Sequence, residues 1–164
     1  MTGEERLLQD DLAARDAALD VEHSFIVQAP AGSGKTELLI QRYLRLLSVV
    51  EDPEEIIAIT FTRKAAAEMQ HRVLAALRAA LRGATPDEPH EQRTAALASA
   101  VLERDGIRGW NLLVNPARMR VQTLDSLNAA IARARPISAP GSASGVRVVV
   151  DAELAALHRA AAVA

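Results

Sequence analysis

The chain has 164 residues and a net charge of -2, and 49% of its residues are hydrophobic, which suits one globular domain with a core. It contains no cysteine, which excludes disulfide scaffolds, thiolate metal sites and cysteine nucleophiles. No stretch approaches the roughly 18 apolar residues of a membrane span, and the acidic start, with Glu4, Glu5, Asp10 and Asp11, is unlike a signal peptide, so we expect a cytoplasmic protein with no membrane partner.

The hydrophobic pattern predicts an α/β protein in which strands and helices alternate. The first predicted elements are a helix over residues 5–19, a strand over 24–28, a helix over 35–48, a strand over 56–60 and a helix over 63–82. The later ones are a helix over 91–104, a strand over 119–122, a helix over 123–133, a flexible linker over 136–145, a strand over 146–150 and a helix over 151–163. Because strand–helix–strand units join parallel strands, residues 24–28 and 56–60 are predicted to be parallel.

Residues 29–36 read APAGSGKT and follow the apolar run of residues 24–28. A glycine-rich turn between a strand and a helix is typical of a phosphate-binding loop, because glycines let the backbone approach a phosphate and the N–H groups at the helix start point at the anion. Lys35 would reach the β- and γ-phosphates of a nucleotide, and the Thr36 hydroxyl would hold Mg²⁺. We predict that the nucleotide is bound by Ala29, Pro30, Ala31, Gly32, Ser33, Gly34, Lys35 and Thr36.

A second segment, residues 60–69, reads TFTRKAAAEM and begins at the C-terminal end of the strand predicted over residues 56–60. In an open parallel sheet, ligands bind at this end of the strands. An aromatic residue flanked by hydroxyls and bases offers base stacking and phosphate contacts, which are the two requirements of single-strand binding. The alternative is that Phe61 is a core anchor and Lys64 a solvated surface residue.

Basic residues are concentrated in two segments of a slightly acidic chain. Residues 61–82 hold five Lys/Arg against one acid, and residues 104–135 hold six Arg against two acids. This distribution is typical either of a basic binding face or of solvated arginine-rich helices. The histidines have no partners at metal-ligand spacing, and we expect Trp110 to pack in the core.

The order and spacing of APAGSGKT, TFTRKAAAEM and QTLDS (residues 122–126) resemble the start of the UvrD/Rep-like superfamily 1 DNA helicases, most closely the RecB/AddA type. The resemblance implies a P-loop NTPase fold, the RecA-like first motor domain, whose parallel sheet is flanked by helices and is incomplete at the C-terminus. Residues 1–135 would form this ATP-binding domain, residues 136–145 a linker, and residues 146–164 the start of the next, helical subdomain.

The resemblance also implies what the chain binds. ATP and Mg²⁺ would be the cofactors, and single-stranded DNA the partner, in a helicase that moves 3′ to 5′ during repair or recombination. A partner nuclease or helicase subunit is a further expectation. The implied DNA-contacting residues are Thr60, Phe61, Thr62, Arg63, Lys64, Thr123 and Ser126.

Two positions depart from the helicase pattern. Such helicases usually carry an adenine-reading glutamine upstream of the loop, at a position that falls near Ala14 or Arg15 here; Gln9 would serve only if the intervening loop were longer. In the third motif, Asp125 stands where many relatives carry histidine. We expect Asp125 to cap the following helix, which leaves Ser126 or Thr123 as the DNA contact.

Hydrolysis requires an acidic pair, usually Asp-Glu after an apolar strand. Residues 87–88 (DE) lie in a loop bracketed by prolines, and residues 151–153 (DAE) displace the second acid by one position. We therefore expect the N-terminal part of a larger helicase that, alone, binds ATP without hydrolysing it. It should also be marginally stable, because a missing central strand exposes sheet edges. A small P-loop kinase, which leaves residues 60–69 unexplained, and a non-catalytic nucleotide- or DNA-binding module are the alternatives.

Overall fold

The structure is a computed structural model in which residues 3–30 and 32–134 are described. The chain divides into two compact units, Met1–Leu124 and Asp125–Ala164. The linker, strand and helix predicted over residues 136–163 lie outside the described residues. The order of elements is α1 (Gly3–Ala17), α2 (Lys35–Leu47), a 3-10 turn (Pro53–Glu55), β1 (Ile57–Thr60), α3 (Arg63–Leu81), α4 (Pro89–Arg108), a second 3-10 turn (Pro116–Arg118), β2 (Arg120–Thr123) and α5 (Leu124–Ala134).

The predicted α/β class is confirmed, and each helix predicted within the described residues is present. The largest difference in bounds is at α4, which begins two residues earlier and ends four residues later than predicted. Pro89 occupies the first turn of α4, where a missing N–H costs nothing. Gly109 ends the helix in the left-handed conformation, with φ 68°. Gly109 is therefore the stop signal of α4.

The sheet of the described residues has two strands, β1 and β2, which are parallel. The register pairs Ile57 with Arg120 and continues to Thr60 with Thr123, so the C-terminal ends of both strands lie side by side. Alternate residues of the sheet, such as Ala58 and Val121, pack against the main core. The intervening residues Ile57 and Ile59 are exposed on the opposite face.

The strand predicted over residues 24–28 is wrong. These residues are irregular in the structure, Ile26 is 99% exposed, and β1 pairs with β2 instead. A strand requires a neighbour for its backbone hydrogen bonds, and none of the described segments pairs with this one. The predicted parallel pairing of residues 24–28 with residues 56–60 is therefore absent as well.

The main core lies between α2, α3 and α4, beneath one face of the sheet. It is formed by residues at helical spacing together with the chain after α4: Ile40, Leu44 and Leu47 of α2, Val73 and Leu77 of α3, Ala98 and Val101 of α4, and Trp110, Leu112 and Met119. The prediction for Trp110 is confirmed, because it is 2% exposed and its Nε1 donates to the Glu51 carbonyl at 3.1 Å.

Three arginines converge on the acidic turn, residues 51–55. Arg118 Nε lies 2.6 Å from Glu54 Oε1, Arg104 Nη2 lies 3.3 Å from Glu51 Oε1, and Arg108 also pairs with Glu51. Much of the positive charge counted over residues 104–135 is thus neutralised within the fold. The exposed cations Arg63 and Lys64, within residues 61–82, remain candidates for a basic face.

Candidate functional site

The phosphate loop, residues 29–36, runs directly into α2. Gly32 and Gly34 have φ of 82° and 77°, a conformation that is costly for residues with a Cβ. Gly34 is the N-cap of α2 and Lys35 its first residue. Because the first N–H groups of a helix have no intrahelical acceptor, the end of the loop presents backbone donors and the positive end of a helix dipole.

The loop closes on itself through its own side chains. Lys35 Nζ donates to the Ala29 carbonyl at 2.6 Å and also to the Pro30 carbonyl. Ser33 Oγ donates to the Pro30 carbonyl at 2.8 Å, and Thr36 is exposed. A phosphate could therefore take Lys35 only by replacing loop carbonyls as its acceptors.

Arg15 of α1 contacts this loop, which sequence reasoning missed. Its Nη2 donates to the Ser33 carbonyl at 2.7 Å, and its Nε donates to Asp11 Oδ2 at 2.7 Å. Arg15 and Lys35 both line a cavity of about 360 Å³ between α1 and the segment of residues 25–29. Ala14 also lines this cavity, whereas Gln9 is exposed on α1 and is not among the lining residues.

Arg42 of α2 fixes the irregular segment that leads to the loop, and this role was also missed. Its guanidinium donates to the carbonyls of Ala18, Asp20 and His23 at 2.5, 2.9 and 3.0 Å. It also lies over the ring of Phe25, 5.2 Å from the centroid, at cation–π distance. These contacts take the place of strand pairing in holding the approach to the loop against α2.

The second segment places Phe61 at the junction of β1 and α3. Phe61 is 96% exposed, which excludes the alternative of a core anchor. Thr62 is the N-cap of α3, and its hydroxyl accepts from the Ala65 N–H at 3.1 Å. Arg63 and Lys64 are exposed in the first turn of α3, where the helix dipole disfavours cations. An unfavourable placement of charge that no contact within the fold offsets is typical of a functional site.

The third segment is divided between the two units. Thr123 ends β2 beside Thr60 of β1 and is only 6% exposed. Ser126 lies in α5 and is half-buried. The prediction that Asp125 caps this helix is wrong, because α5 begins at Leu124 and Asp125 lies within its first turn. Its carboxylate still complements the helix dipole there.

The described residues hold neither a membrane span nor a cluster of metal ligands. None of the described helices is long and apolar enough to cross a membrane. Within residues 3–30 and 32–134, no group of three or more His, Cys, Asp or Glu is placed to hold a metal ion. The Thr36 hydroxyl therefore remains the candidate magnesium contact, through a bound nucleotide.

The chain is similar to named helicases over part of its length. It is 39% identical over 97 residues to an ATP-dependent helicase/nuclease subunit of Desulfitobacterium hafniense, which is 57% of this chain and 7% of the relative. It is 50% identical over 60 residues to DNA helicase II of Salmonella typhimurium, which is 36% of this chain and 8% of the relative. With the helicase/nuclease protein of the same name from Moorella thermoacetica, it shares 42% identity over 83 residues, covering 49% and 6%.

The match thus spans less than a tenth of each relative's length. No solved structure matches the chain. Residues 11–142 match the UvrD/REP helicase N-terminal domain, and this match covers more than half of the chain. The motifs at residues 29–36 and 60–69 fall within it. The chain therefore belongs to the UvrD/REP helicase N-terminal domain family.

Proposed function

We propose that the chain is the ATP-binding part of an ATP-dependent DNA helicase that moves 3′ to 5′ on DNA during repair or recombination. The observation that carries this proposal is the phosphate loop, whose two left-handed glycines precede Lys35 at the first position of α2. In a member of this family, that arrangement supports a P-loop NTPase fold of the RecA-like type. The names of the relatives, a DNA helicase and an ATP-dependent helicase/nuclease subunit, support the same activity.

The residues of the loop suit a bound nucleoside triphosphate. At Gly32 an added Cβ would meet nothing within 4 Å, so the glycine there is required by its φ of +82° and not by crowding. Lys35 would exchange the carbonyls of Ala29 and Pro30 for phosphate oxygens, and the backbone N–H groups at the start of α2 would hold the rest of the charge. The Thr36 hydroxyl would hold Mg²⁺. When bound, Mg-ATP supplies the phosphoryl group whose transfer drives a helicase.

The proposed DNA contacts are residues of the second and third segments, each considered by itself. Phe61 would stack on a base, and Arg63 and Lys64 would contact phosphates, with Thr60 and Thr62 beside them. The supporting observations are the exposure of Phe61 and the two cations, which form no ion pair with any described residue. Thr123 and Ser126 complete the proposed set. For the whole protein we further propose a partner nuclease or helicase subunit.

The chain of 164 residues is proposed to hold ATP without hydrolysing it. Asp87 and Glu88 do not follow a strand: Glu88 is the N-cap of α4, and the Asp87 carbonyl accepts from Gln92 Nε2 at 3.0 Å. Asp151 and Glu153 lie outside the described residues. On its own, the chain would act as a nucleotide- and DNA-binding module of the helicase.

Thermal and chemical unfolding with and without Mg-ATP tests the nucleotide site. At about 100 times its dissociation constant, Mg-ATP should raise the free energy of unfolding by roughly 2.7 kcal/mol. Lys35→Ala should remove most of this gain, because Lys35 is the cation of the loop. Lys64→Ala removes the chain's other lysine, outside the loop, and should retain the gain.

Equal stabilisation of the Lys35→Ala variant and the unaltered chain would exclude the phosphate loop as the nucleotide site. Phosphate release should stay at the background rate in the same samples. Hydrolysis that is lost in Lys35→Ala would show that the chain carries a complete catalytic site, contrary to the proposal.

A further inference from the structure

Arg15 connects α1 to the phosphate loop across 18 positions of sequence. Its Nη2 donates to the Ser33 carbonyl at 2.7 Å while its Nε donates to Asp11 Oδ2 at 2.7 Å. The other side-chain hydrogen bonds to the loop, within the described part of the chain, come from Ser33 and Lys35 of the loop itself. Among the described residues, Arg15 is therefore the side chain outside the loop that hydrogen-bonds to it.

The Ser33 carbonyl belongs to the same peptide unit as the Gly34 N–H. A trans peptide is planar, so its C=O and N–H point in opposite directions, and the described residues contain no cis peptide bond. By holding the Ser33 carbonyl on the side of α1, Arg15 directs the Gly34 N–H away from α1. A charged donor also polarises the peptide and strengthens the N–H on its far side as a donor.

Arg15 lies directly beside Gly34. A Cβ at Gly34 would lie 3.4 Å from Arg15 Nη1, which is an ordinary van der Waals contact, so it is the φ of +77° that disfavours a side chain at this position. Asp11 holds the guanidinium from the other end, and the Arg15 side chain is 30% exposed. Arg15 is thus fixed against the loop, whereas Lys35 has only carbonyls that a phosphate can replace.

We propose that Arg15 is a positioning residue of the phosphate loop, which orients the Gly34 N–H for a nucleotide phosphate without touching the nucleotide. This inference rests on the proposed nucleotide site. The Gly34 N–H would donate a hydrogen bond to a phosphate and not to a base. The effect of Arg15 on affinity is therefore the same for any triphosphate, with or without a base.

The test compares binding of Mg-ATP and of magnesium tripolyphosphate to the 164-residue chain by calorimetry. Arg15→Met retains the aliphatic stem but removes the donors, and should weaken both ligands about tenfold, as expected for loss of one charge-assisted hydrogen bond. Arg15→Lys retains one donor and should recover most of the affinity. Arg6→Met, on the exposed part of the same helix, makes the same change in net charge and should leave both affinities unchanged.

Equal affinities of the Arg15→Met and Arg6→Met variants, whether both unchanged or both weakened, would overturn the inference. Weakening of Mg-ATP alone would also overturn it, because Arg15 would then act on the base. If Mg-ATP binds the unaltered chain and Lys35→Ala equally, the proposed nucleotide site fails, and this inference with it.

The melting temperature without ligand is measured for each variant. If Arg15→Met fails to fold, Asp11→Asn replaces it in the test, because Asp11 is 61% exposed and holds the Arg15 guanidinium. Loss of the Asp11 carboxylate should lower the affinity for both Mg-ATP and magnesium tripolyphosphate, and unchanged affinities would overturn the inference.

Discussion

Phe61 is an apolar side chain held in solvent by two structured neighbours. The last residue of β1 precedes it, and the N-cap of α3 follows it, so its backbone is fixed although its ring is 96% exposed. Burying such a ring releases free energy, and a nucleic-acid base offers a flat apolar face for it. Two exposed cations, Arg63 and Lys64, follow within three positions.

Replacing Phe61 by Ala should therefore weaken single-stranded DNA binding by roughly 1–3 kcal/mol, as expected for loss of one base stack. The melting temperature should stay unchanged, because the ring has no place in the core. Titration of a fluorescent oligonucleotide at several salt concentrations measures the affinity, which should fall as salt rises if phosphates are contacted.

Ile107→Ala is the matched control, since Ile107 of α4 is 73% exposed and lies far from residues 60–64 in sequence. Its affinity for the oligonucleotide should equal that of the unaltered chain. If Phe61→Ala binds as tightly as Ile107→Ala, the stacking role is excluded, and the exposed ring needs another explanation.

At the scale of elements, the acidic turn connects α2 and β1 to α4 and the second 3-10 turn through arginines. The hydrogen bond from Arg118 holds the pKa of the Glu54 carboxyl below its usual value, and the nearby positive charges of Arg118 and Arg120 act in the same direction. Conversely, Glu54 raises the pKa of the Arg118 guanidinium. The acidic turn is thus tied to the second 3-10 turn by a charge-dependent contact.

The ion pair of Arg118 and Glu54 makes part of the free energy of unfolding dependent on pH. A carboxyl whose pKa is lower in the folded state contributes stability above its unfolded pKa, which is about 4.3 for Glu. The contribution is lost as the pH falls through the folded pKa. Glu54→Gln should therefore lower the melting temperature modestly at pH 7, and the difference should disappear as the pH falls below about 4. Arg118 stays charged throughout this window.

Thermal melts from pH 7 to pH 3 measure the effect, and Glu103→Gln is the control. Glu103 is an exposed carboxylate of α4 that forms no ion pair with the described residues. Its replacement should leave the melting temperature unchanged at each pH. A difference between Glu54→Gln and the unaltered chain that stays constant with pH would contradict the ion-pair account.

At the scale of the whole molecule, patterns of nearby residues in the sequence predicted the helices and the family, which depend on those residues. The helices followed from apolar residues at helical spacing, such as Tyr43 and Leu47 of α2, and the family followed from three motifs. The strand predicted over residues 24–28 failed because its state depends on a partner segment and not on its own residues. The contacts of Arg15 and Arg42 could not be predicted, because an arginine donor fits any carbonyl and the chain path selects which one.

The segment of residues 24–28 is an exposed apolar stretch that bears on self-association of the chain. Phe25, Ile26 and Val27 are exposed, and so are Ile57 and Ile59 on the open face of the sheet. The described residues provide no backbone hydrogen bond to this segment. Apolar side chains beside unpaired backbone groups are a template for pairing with another chain.

We therefore expect the 164-residue chain to self-associate as its concentration rises, and Ile26→Lys to reduce this association. Ile26 is 99% exposed, so the substitution costs the monomer little, whereas burying its side chain between chains is worth roughly 1.5–3 kcal/mol. Sedimentation velocity over a range of concentrations measures the change. Ile107→Lys places the same charge on an exposed isoleucine of α4 and should leave association unaltered. A chain that stays monomeric throughout, or an equal effect of both substitutions, would exclude residues 24–28 as the associating surface.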